Sequence, residues 1–230
     1  MDRLSATAPT GGDGGDAAAP AVRLYFAPDV HHACVGGDAV LLDVRGDGYH
    51  CLPDGAALCR RLAGGGLVRM NGPVSALIAA GLIGAEPSPK PRVPPARPVR
   101  SVIHAGGRLD LMRDLIPGLC AMHEVRAARR GAGLSPYVSL GGAEPRDDPM
   151  AAIEAGRRFW TLMAYLPIEG ECLVRSALLV RFLRRQGLRA DWVFGVRLCP
   201  FTAHCWVQVG EVCLNDDVER LVAYTPIMVR

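Results

Sequence analysis

The chain contains 230 residues, half of them hydrophobic, which is enough for one large or two small domains with a sizeable core. Its formal net charge of +3 is too small to indicate nucleic-acid binding on its own. The first residues lack an apolar signal-peptide core, and no apolar run is long enough for a membrane span. We therefore expect a cytoplasmic protein whose eight cysteines are reduced.

Residues 1–20 are rich in Gly, Ala and Asp and carry few large apolar side chains, so they are predicted to be disordered. Residues 21–86 are predicted to form a small domain in which three strands precede two short helices, with turn clusters between them. The strands are Val22–Phe26, Ala39–Val44 and Gly48–Leu52, and the helices are Ala56–Leu62 and Pro73–Leu82.

Residues 87–100 are predicted to be an extended linker, because six prolines fall within the thirteen residues Glu86–Pro98. We expect this linker to separate the small N-terminal domain from a second domain at residues 101–230. Helical character in the second domain is predicted for Leu109–Arg130, with a break at Pro117-Gly118, and for Pro149–Tyr165.

A further helix is predicted to begin at Cys172, because apolar residues recur at helical spacing up to Gln186 and Gly187 then ends the helix. Cys172 falls in the first turn of this helix. Unpaired backbone N–H groups and the positive end of the helix dipole favour a thiolate over a thiol at that position. Cys172 is therefore a candidate nucleophile.

Three short antiparallel strands are predicted to follow and to pack on this helix, because a period of two replaces the helical spacing. They are Ala190–Arg197, Ala203–Val209 and Val212–Asn215. His204 is a strand residue that can face the start of the helix, and the returning strand can bring a carboxylate beside it. A two-residue hairpin loop places His204 opposite Asp217, and a three-residue loop places it opposite Asp216. The local sequence does not choose between them.

Other side chains around His204 have structural interpretations. Cys205 is predicted to point to the opposite strand face and to be core. The four candidate ligands of a zinc site would be Cys199, His204, Cys205 and Cys213. Such a site is not favoured, because there is no Cys-x-x-Cys pair and two of the ligands would lie on opposite faces of one strand. Trp206 is either core or a wall of a substrate groove, and its position on the His204 side favours the groove.

Five motifs in the last third of the chain agree in order and spacing with one known family. They are Cys172-Leu173-x-Arg175-Ser176, Leu183-Arg184-Arg185-x-Gly187, Ala203-His204-x-Trp206-Val207, Asn215-Asp216-Asp217 and Tyr224-Thr225-Pro226-Ile227. Together they resemble the lasso-peptide B proteins, transglutaminase-like cysteine peptidases that remove the leader from a ribosomally made precursor. The resemblance implies Cys172 as nucleophile, His204 as base and Asp216 as orienting acid, and hence the three-residue loop. It implies no metal or other cofactor.

The strand and helix pattern of residues 21–86 resembles the leader-recognition element of peptide-modifying pathways, a small winged-helix fold related to the pyrroloquinoline-quinone-pathway chaperone. This likeness implies that a leader peptide adds as an extra strand to the edge of Gly48–Leu52, beside the helix Pro73–Leu82. The residues expected to contact the leader are Tyr49, His50, Cys51 and Leu52. The alternative is a cap domain without a ligand.

The expected architecture is α+β, with a winged-helix-like domain followed by a transglutaminase-like or papain-like domain. The resemblance implies two partners, the leader region of a lasso precursor peptide and an ATP-using lasso cyclase of the asparagine-synthetase-like type. Neither nucleic acid nor a membrane is expected as a partner. Two alternatives remain open, an acyltransferase in which an amine replaces water on the thioester, and a non-catalytic peptide chaperone.

Overall fold

The computed structural model describes residues 21–103, 105–141, 144–166 and 170–230, so the prediction for residues 1–20 lies outside the described chain. The protein is α+β. Its N-terminal part consists of β1 (Ala21–Arg23), β2 (Tyr25–Phe26), β3 (Val30–Val35), β4 (Asp38–Asp43), β5 (Gly48–Leu52), α1 (Ala56–Ala63), β6 (Leu67–Arg69), α2 (Gly72–Ala79) and β7 (Ile83–Gly84).

The C-terminal part combines helices with one larger sheet. Its elements are β8 (Arg100–Ser101), a π-helical turn (Leu111–Leu115), α3 (Ile116–Arg130), α4 (Ser135–Val138), α5 (Pro149–Met163), α6 (Cys172–Arg185), β9 (Asp191–Arg197), β10 (Thr202–Val209), β11 (Val212–Cys213), α7 (Val218–Leu221) and β12 (Thr225–Val229). Among the described residues, no helix has the length and apolar character needed to cross a bilayer.

Strands β3, β4 and β5 form an antiparallel sheet with β4 in the centre. Successive residues of β4 point to opposite faces. Leu41 belongs to a core shared with α1 and α2, whereas Val40 and Leu42 belong to the main core of the C-terminal part. The sheet therefore lies between its own helices and the C-terminal part, and β5 forms one of its edges.

The structure confirms most of the predicted N-terminal elements but adds others. Helix α2 starts one residue earlier than predicted, where the Asn71 side chain accepts a hydrogen bond from Val74 N at 3.0 Å. Strand β3 was missed, because His31 and His32 interrupt the apolar alternation that would have marked it. The winged-helix relationship stays a prediction.

The C-terminal sheet has the strand order β12-β9-β10-β11-β8. Helix α6 packs on one face of this sheet, with α3 and α5 beside it. The rings of Phe159 on α5 and Phe182 on α6 are 5.3 Å apart, and both side chains are fully buried. A second, smaller core covers the other face and includes Trp206, Tyr224 and Val193. The predicted packing of the antiparallel sheet on α6 is confirmed.

A buried ion pair ties the start of α3 to α5. The helix break predicted at Pro117-Gly118 is instead the start of α3, because Pro117 lies in the first turn of this helix. In the π-helical turn before it, Asp114 accepts two hydrogen bonds from Arg158 Nε at 3.0 and 3.1 Å. The Asp110 backbone N–H donates to the same carboxylate at 2.8 Å. Asp114 is thus fully satisfied although no part of it is exposed.

Residues 87–99, which contain no helix or strand, run along the C-terminal sheet. The Arg92 guanidinium donates to Asp191 at 2.6 Å, and Gln208 Nε2 donates to the Ala96 carbonyl at 2.8 Å. The segment is therefore extended, as its prolines predicted, and it is held against the protein surface.

The N-terminal sheet and the C-terminal part share one core. Strand β3 lies against β12, and Ala33, Val40 and Leu42 belong to the same hydrophobic cluster as the buried face of α6. Across this junction the Arg230 guanidinium donates to Asp29 at 3.2 Å. The division into a recognition domain (21–86), linker (87–100) and peptidase domain (101–230) stays a prediction.

Candidate active site

Cys172 is the first residue of α6, as predicted. Glu171 precedes the helix in an extended conformation, and its side chain makes no capping hydrogen bond. The Glu171 side chain therefore accepts no hydrogen bond from the backbone N–H groups of the first turn of α6. A side chain at Gly170 would come within 2.5 Å of Val174 Cβ, so only glycine permits this close approach.

His204 and Asp216 form a hydrogen-bonded ion pair beside Cys172. His204 lies on β10 and is buried, and its Nε2 contacts Asp216 Oδ2. The other carboxylate oxygen of Asp216 accepts a hydrogen bond from Asp217 N at 2.8 Å, which fixes its orientation. Since Nε2 is engaged by Asp216, Nδ1 is the ring nitrogen left to exchange a proton with the Cys172 sulfur.

The hairpin that brings Asp216 to His204 has the two-residue loop, with Val209 paired to Val212. The expected three-residue loop is therefore wrong, although Asp216 is the residue that reaches His204. The ladder ends early because the Asn215 side chain accepts the Val207 backbone N–H at 2.7 Å. The chain turns there, and Asp217 instead caps α7 through a hydrogen bond from Glu219 N at 3.1 Å.

The neighbouring groups favour a thiolate and imidazolium pair. Hydrogen bonds from Cys205 and His204 to the sulfur outweigh burial and lower the pKa of Cys172 to about 4. Burial alone would lower the pKa of His204, but its hydrogen bonds to Asp216 and Cys172 raise that pKa to about 9. Burial also opposes ionisation of Asp216, yet the hydrogen bond to His204 keeps its pKa below the usual value. Between about pH 4 and pH 9 these pKa values correspond to a Cys172 thiolate beside a His204 imidazolium.

A network that the sequence did not reveal holds α6 against β10. Ser176 Oγ donates to the Cys205 carbonyl at 3.2 Å and accepts from Asn215 Nδ2 at 2.7 Å. The Cys205 thiol, predicted only as core, lies 3.7 Å from the same hydroxyl and also contacts Cys172. Ser176 is one helical turn after Cys172, so the sequence alone predicts that both residues share one face of α6, although it does not predict the contacts with Cys205 and Asn215.

Cys172, His204 and Asp216 open into a cavity of about 550 Å³. Its remaining lining includes Ile103, Trp160, Arg175, Arg220 and Tyr224. The expected position of Trp206 in the groove is not observed, because this side chain is only 2% exposed and packs behind the His204 ring at 6.5 Å. Its Nε1 donates to Gln208 at 2.7 Å, which satisfies the buried indole.

The four expected leader contacts on β5 do not share one surface. Tyr49 packs towards the main core and contacts the Phe201 ring with centroids 5.4 Å apart. His50 and Cys51 are exposed, and Leu52 packs against the core of α1 and α2. Within the described part of the chain, no group of three or more His, Cys, Asp or Glu side chains is arranged to hold a metal ion.

Residues 121–229 match the transglutaminase-like superfamily, and this region contains Cys172, His204 and Asp216. Over these residues the C-terminal part is therefore similar to transglutaminase-like domains. A stretch of 48 residues is 42% identical to the microcin J25-processing protein McjB of Escherichia coli. This match covers 21% of the chain and 23% of McjB. The resemblance to the lasso-peptide B proteins is thereby confirmed, while no solved structure matches the chain.

Proposed function

We propose that the protein is a cysteine peptidase that cuts the leader from a lasso precursor peptide. One observation carries the proposal: His204 lies between Asp216 and Cys172, at the uncapped start of α6. A base held by a carboxylate and touching a cysteine of low pKa is the arrangement that nucleophilic catalysis requires. The transglutaminase-like match and the similarity to a microcin-processing protein support the same class of reaction.

In the first half of the reaction, the Cys172 thiolate attacks the carbonyl carbon of the last leader residue. The negative oxygen that forms is stabilised by N–H groups of the first turn of α6, including that of Cys172. The His204 imidazolium then gives its proton to the nitrogen of the first core residue. The peptide bond breaks, the core leaves with a free amine, and the leader stays bound as a thioester.

In the second half, neutral His204 takes a proton from water, and the resulting hydroxide attacks the thioester carbonyl. The carbon–sulfur bond breaks and returns the Cys172 thiolate. The leader leaves as a carboxylic acid, and His204 is again an imidazolium paired with Asp216. One water is consumed for each peptide bond, and no cofactor enters either step.

The leader is proposed to bind as an additional strand on β5. Among the described strands β5 pairs only with β4, so its second edge is available for a peptide backbone. The core released at Cys172 would pass to an ATP-using cyclase of the asparagine-synthetase-like type. The likeness to a protein that processes microcin J25 supports a peptide substrate of this kind.

The test is mass spectrometry of a cognate precursor peptide incubated with the wild type and with Cys172→Ala, in the presence and absence of the cyclase. We expect a cut at the leader–core junction that slows by about a thousandfold or more in Cys172→Ala. The matched control is Cys120→Ala, since Cys120 is a half-buried cysteine of α3 outside the site.

The same experiment separates the alternatives. An acyltransferase would join the leader carbonyl to an added amine and give an amide, whereas hydrolysis gives an acid. Equal processing by the wild type and Cys172→Ala would instead indicate a peptide chaperone. Either result would overturn the peptidase assignment.

A further inference from the structure

Tyr224 begins the last of the five motifs and has no role in the proposed reaction. It lies between α7 and β12, and its backbone N–H donates to the Leu221 carbonyl at 3.1 Å. Its side chain is only 5% exposed and belongs to the smaller core, yet it also lines the catalytic cavity. Packing therefore holds this ring at the edge of the site.

The Tyr224 ring lies against the ring of His204. The two ring centroids are 5.2 Å apart, and the ring planes are inclined by 37°. Asp216 and Cys172 occupy the two nitrogens of His204, so the faces and carbon edges of the imidazole remain for other contacts. Trp206 is a second aromatic neighbour, but the centroid of its ring is 6.5 Å away. Tyr224 is thus the nearer of these two rings to the catalytic base.

A glycine in the intervening strand leaves room for this contact. Gly195 of β9 pairs with His204 of β10 on one side and with Pro226 of β12 on the other. A Cβ atom at Gly195 would come within 2.8 Å of the Trp206 ring and 3.1 Å of Tyr224 Cβ. A larger residue there would therefore displace the rings that adjoin His204.

The face of the Tyr224 ring also attracts cations. The Cζ atom of Arg197 lies over this ring, 5.7 Å from its centroid, and Arg197 Nη2 donates to Thr202 Oγ1 at 3.2 Å. An aromatic face is negative and attracts a cation within about 6 Å of the ring centroid. The His204 ring meets this distance, so its imidazolium gains from the contact more than neutral imidazole does.

We infer that Tyr224 is a positioning residue for the catalytic base: its ring holds the imidazole between Asp216 and Cys172 and stabilises the imidazolium. This inference rests on the proposed function, in which the His204 imidazolium gives its proton to the leaving amine. Besides the two hydrogen-bonded partners of His204, other ionisable groups surround it or the Tyr224 ring, and a Tyr224 variant leaves them in place. They are Glu171, Arg175, Arg197, Cys205 and Arg220.

An NMR titration of protein with isotope-labelled histidine measures the His204 pKa directly and requires no peptide substrate. His204→Gln assigns the signal among the six histidines of the chain. We expect Tyr224→Leu to lower the His204 pKa by about 0.5 to 1 unit, because the aromatic face is lost. Tyr224→Phe keeps the ring and should change this pKa by less than about 0.2 unit.

The pH profile of precursor cleavage should change in the same way. For an upper limb near pH 9, this shift makes the loss of kcat/KM in Tyr224→Leu about two- to fivefold larger at pH 9 than at pH 7. Tyr224→Phe should restore the wild-type profile. The matched control is Phe26→Leu, which removes a ring stacked on His32 at 4.7 Å in the N-terminal core. It should move neither the His204 pKa nor the upper limb.

Fluorinated phenylalanines at position 224 separate the charge of the ring face from its packing, and they replace Tyr224→Leu should that variant not fold. Fluorine withdraws charge from the face at nearly constant ring size, so the His204 pKa should fall stepwise with the number of fluorines. A constant pKa across the series, or equal shifts in Tyr224→Phe and Tyr224→Leu, would overturn the inference. The expected pKa changes in a protein that cleaves no precursor would overturn only the peptidase assignment.

Discussion

At the scale of single residues, the charges of Cys172 and His204 set the pH range that we expect for the proposed peptidase activity. The thiolate is lost as pH falls through about 4, and the imidazolium is lost as pH rises through about 9. We therefore expect kcat/KM to be bell-shaped with limbs near these values. In Asp216→Asn one of the two hydrogen-bonded groups that raise the pKa of His204 loses its charge, so the upper limb should move to lower pH. An unchanged upper limb in that variant would contradict the orienting role of Asp216.

The hydroxyl of Ser176 is the residue-scale link between α6 and β10. Ser176→Ala would leave the buried Asn215 amide without its acceptor, at a cost of about 1–3 kcal/mol in the free energy of unfolding. We expect kcat to fall as well, because Cys172 and His204 lie on the two elements that this hydroxyl joins. Urea unfolding and steady-state kinetics measure both effects. Ser139→Ala is the matched control, since its hydroxyl bonds an exposed carbonyl of its own helix and should change stability by less than about 0.5 kcal/mol.

At the scale of elements, the buried pair of Asp114 and Arg158 holds the start of α3 on α5. Asp114→Ala leaves the Arg158 guanidinium without its carboxylate partner, at a position where the arginine side chain is 6% exposed. We expect a loss of about 3–5 kcal/mol in the free energy of unfolding. The matched control is Glu154→Ala, which breaks an exposed ion pair with Arg157 at 3.5 Å and should cost less than about 1 kcal/mol. Equal losses in urea titrations of the two variants would refute this account.

The same scale shows what a single sequence could and could not predict. Helix α6 was predicted closely because its apolar spacing, its basic last turn and Gly187 all agree. Strands β9 and β10 were predicted because their side chains alternate. The length of the hairpin loop between β10 and β11 was not predicted. There the Asn215 side chain takes the place of a backbone carbonyl as the partner of Val207 N–H, so Asp216 leaves the strand register. The approach of Tyr49 to Phe201 joins residues far apart in sequence, and no local pattern marks such a contact.

At the scale of the whole molecule, the position of the N-terminal sheet relative to α6 depends on the core that the two parts of the chain share. All three tryptophans, Trp160, Trp192 and Trp206, lie in the C-terminal part, so tryptophan fluorescence reports the unfolding of that part alone. Leu42 lies on β4 in the N-terminal sheet, yet it belongs to the same core as α6. The two parts should therefore unfold together.

Leu42→Ala tests this coupling. We expect it to lower the free energy of unfolding followed by tryptophan fluorescence by about 2–5 kcal/mol, because a fully buried leucine leaves a cavity in the common core. Circular dichroism should give the same midpoint in urea. Leu67→Ala, which removes a leucine that is 58% exposed in the same part of the chain, should leave the midpoint almost unchanged. If the fluorescence transition did not move in Leu42→Ala, the N-terminal sheet would unfold separately, and the shared core would not couple the two parts of the chain.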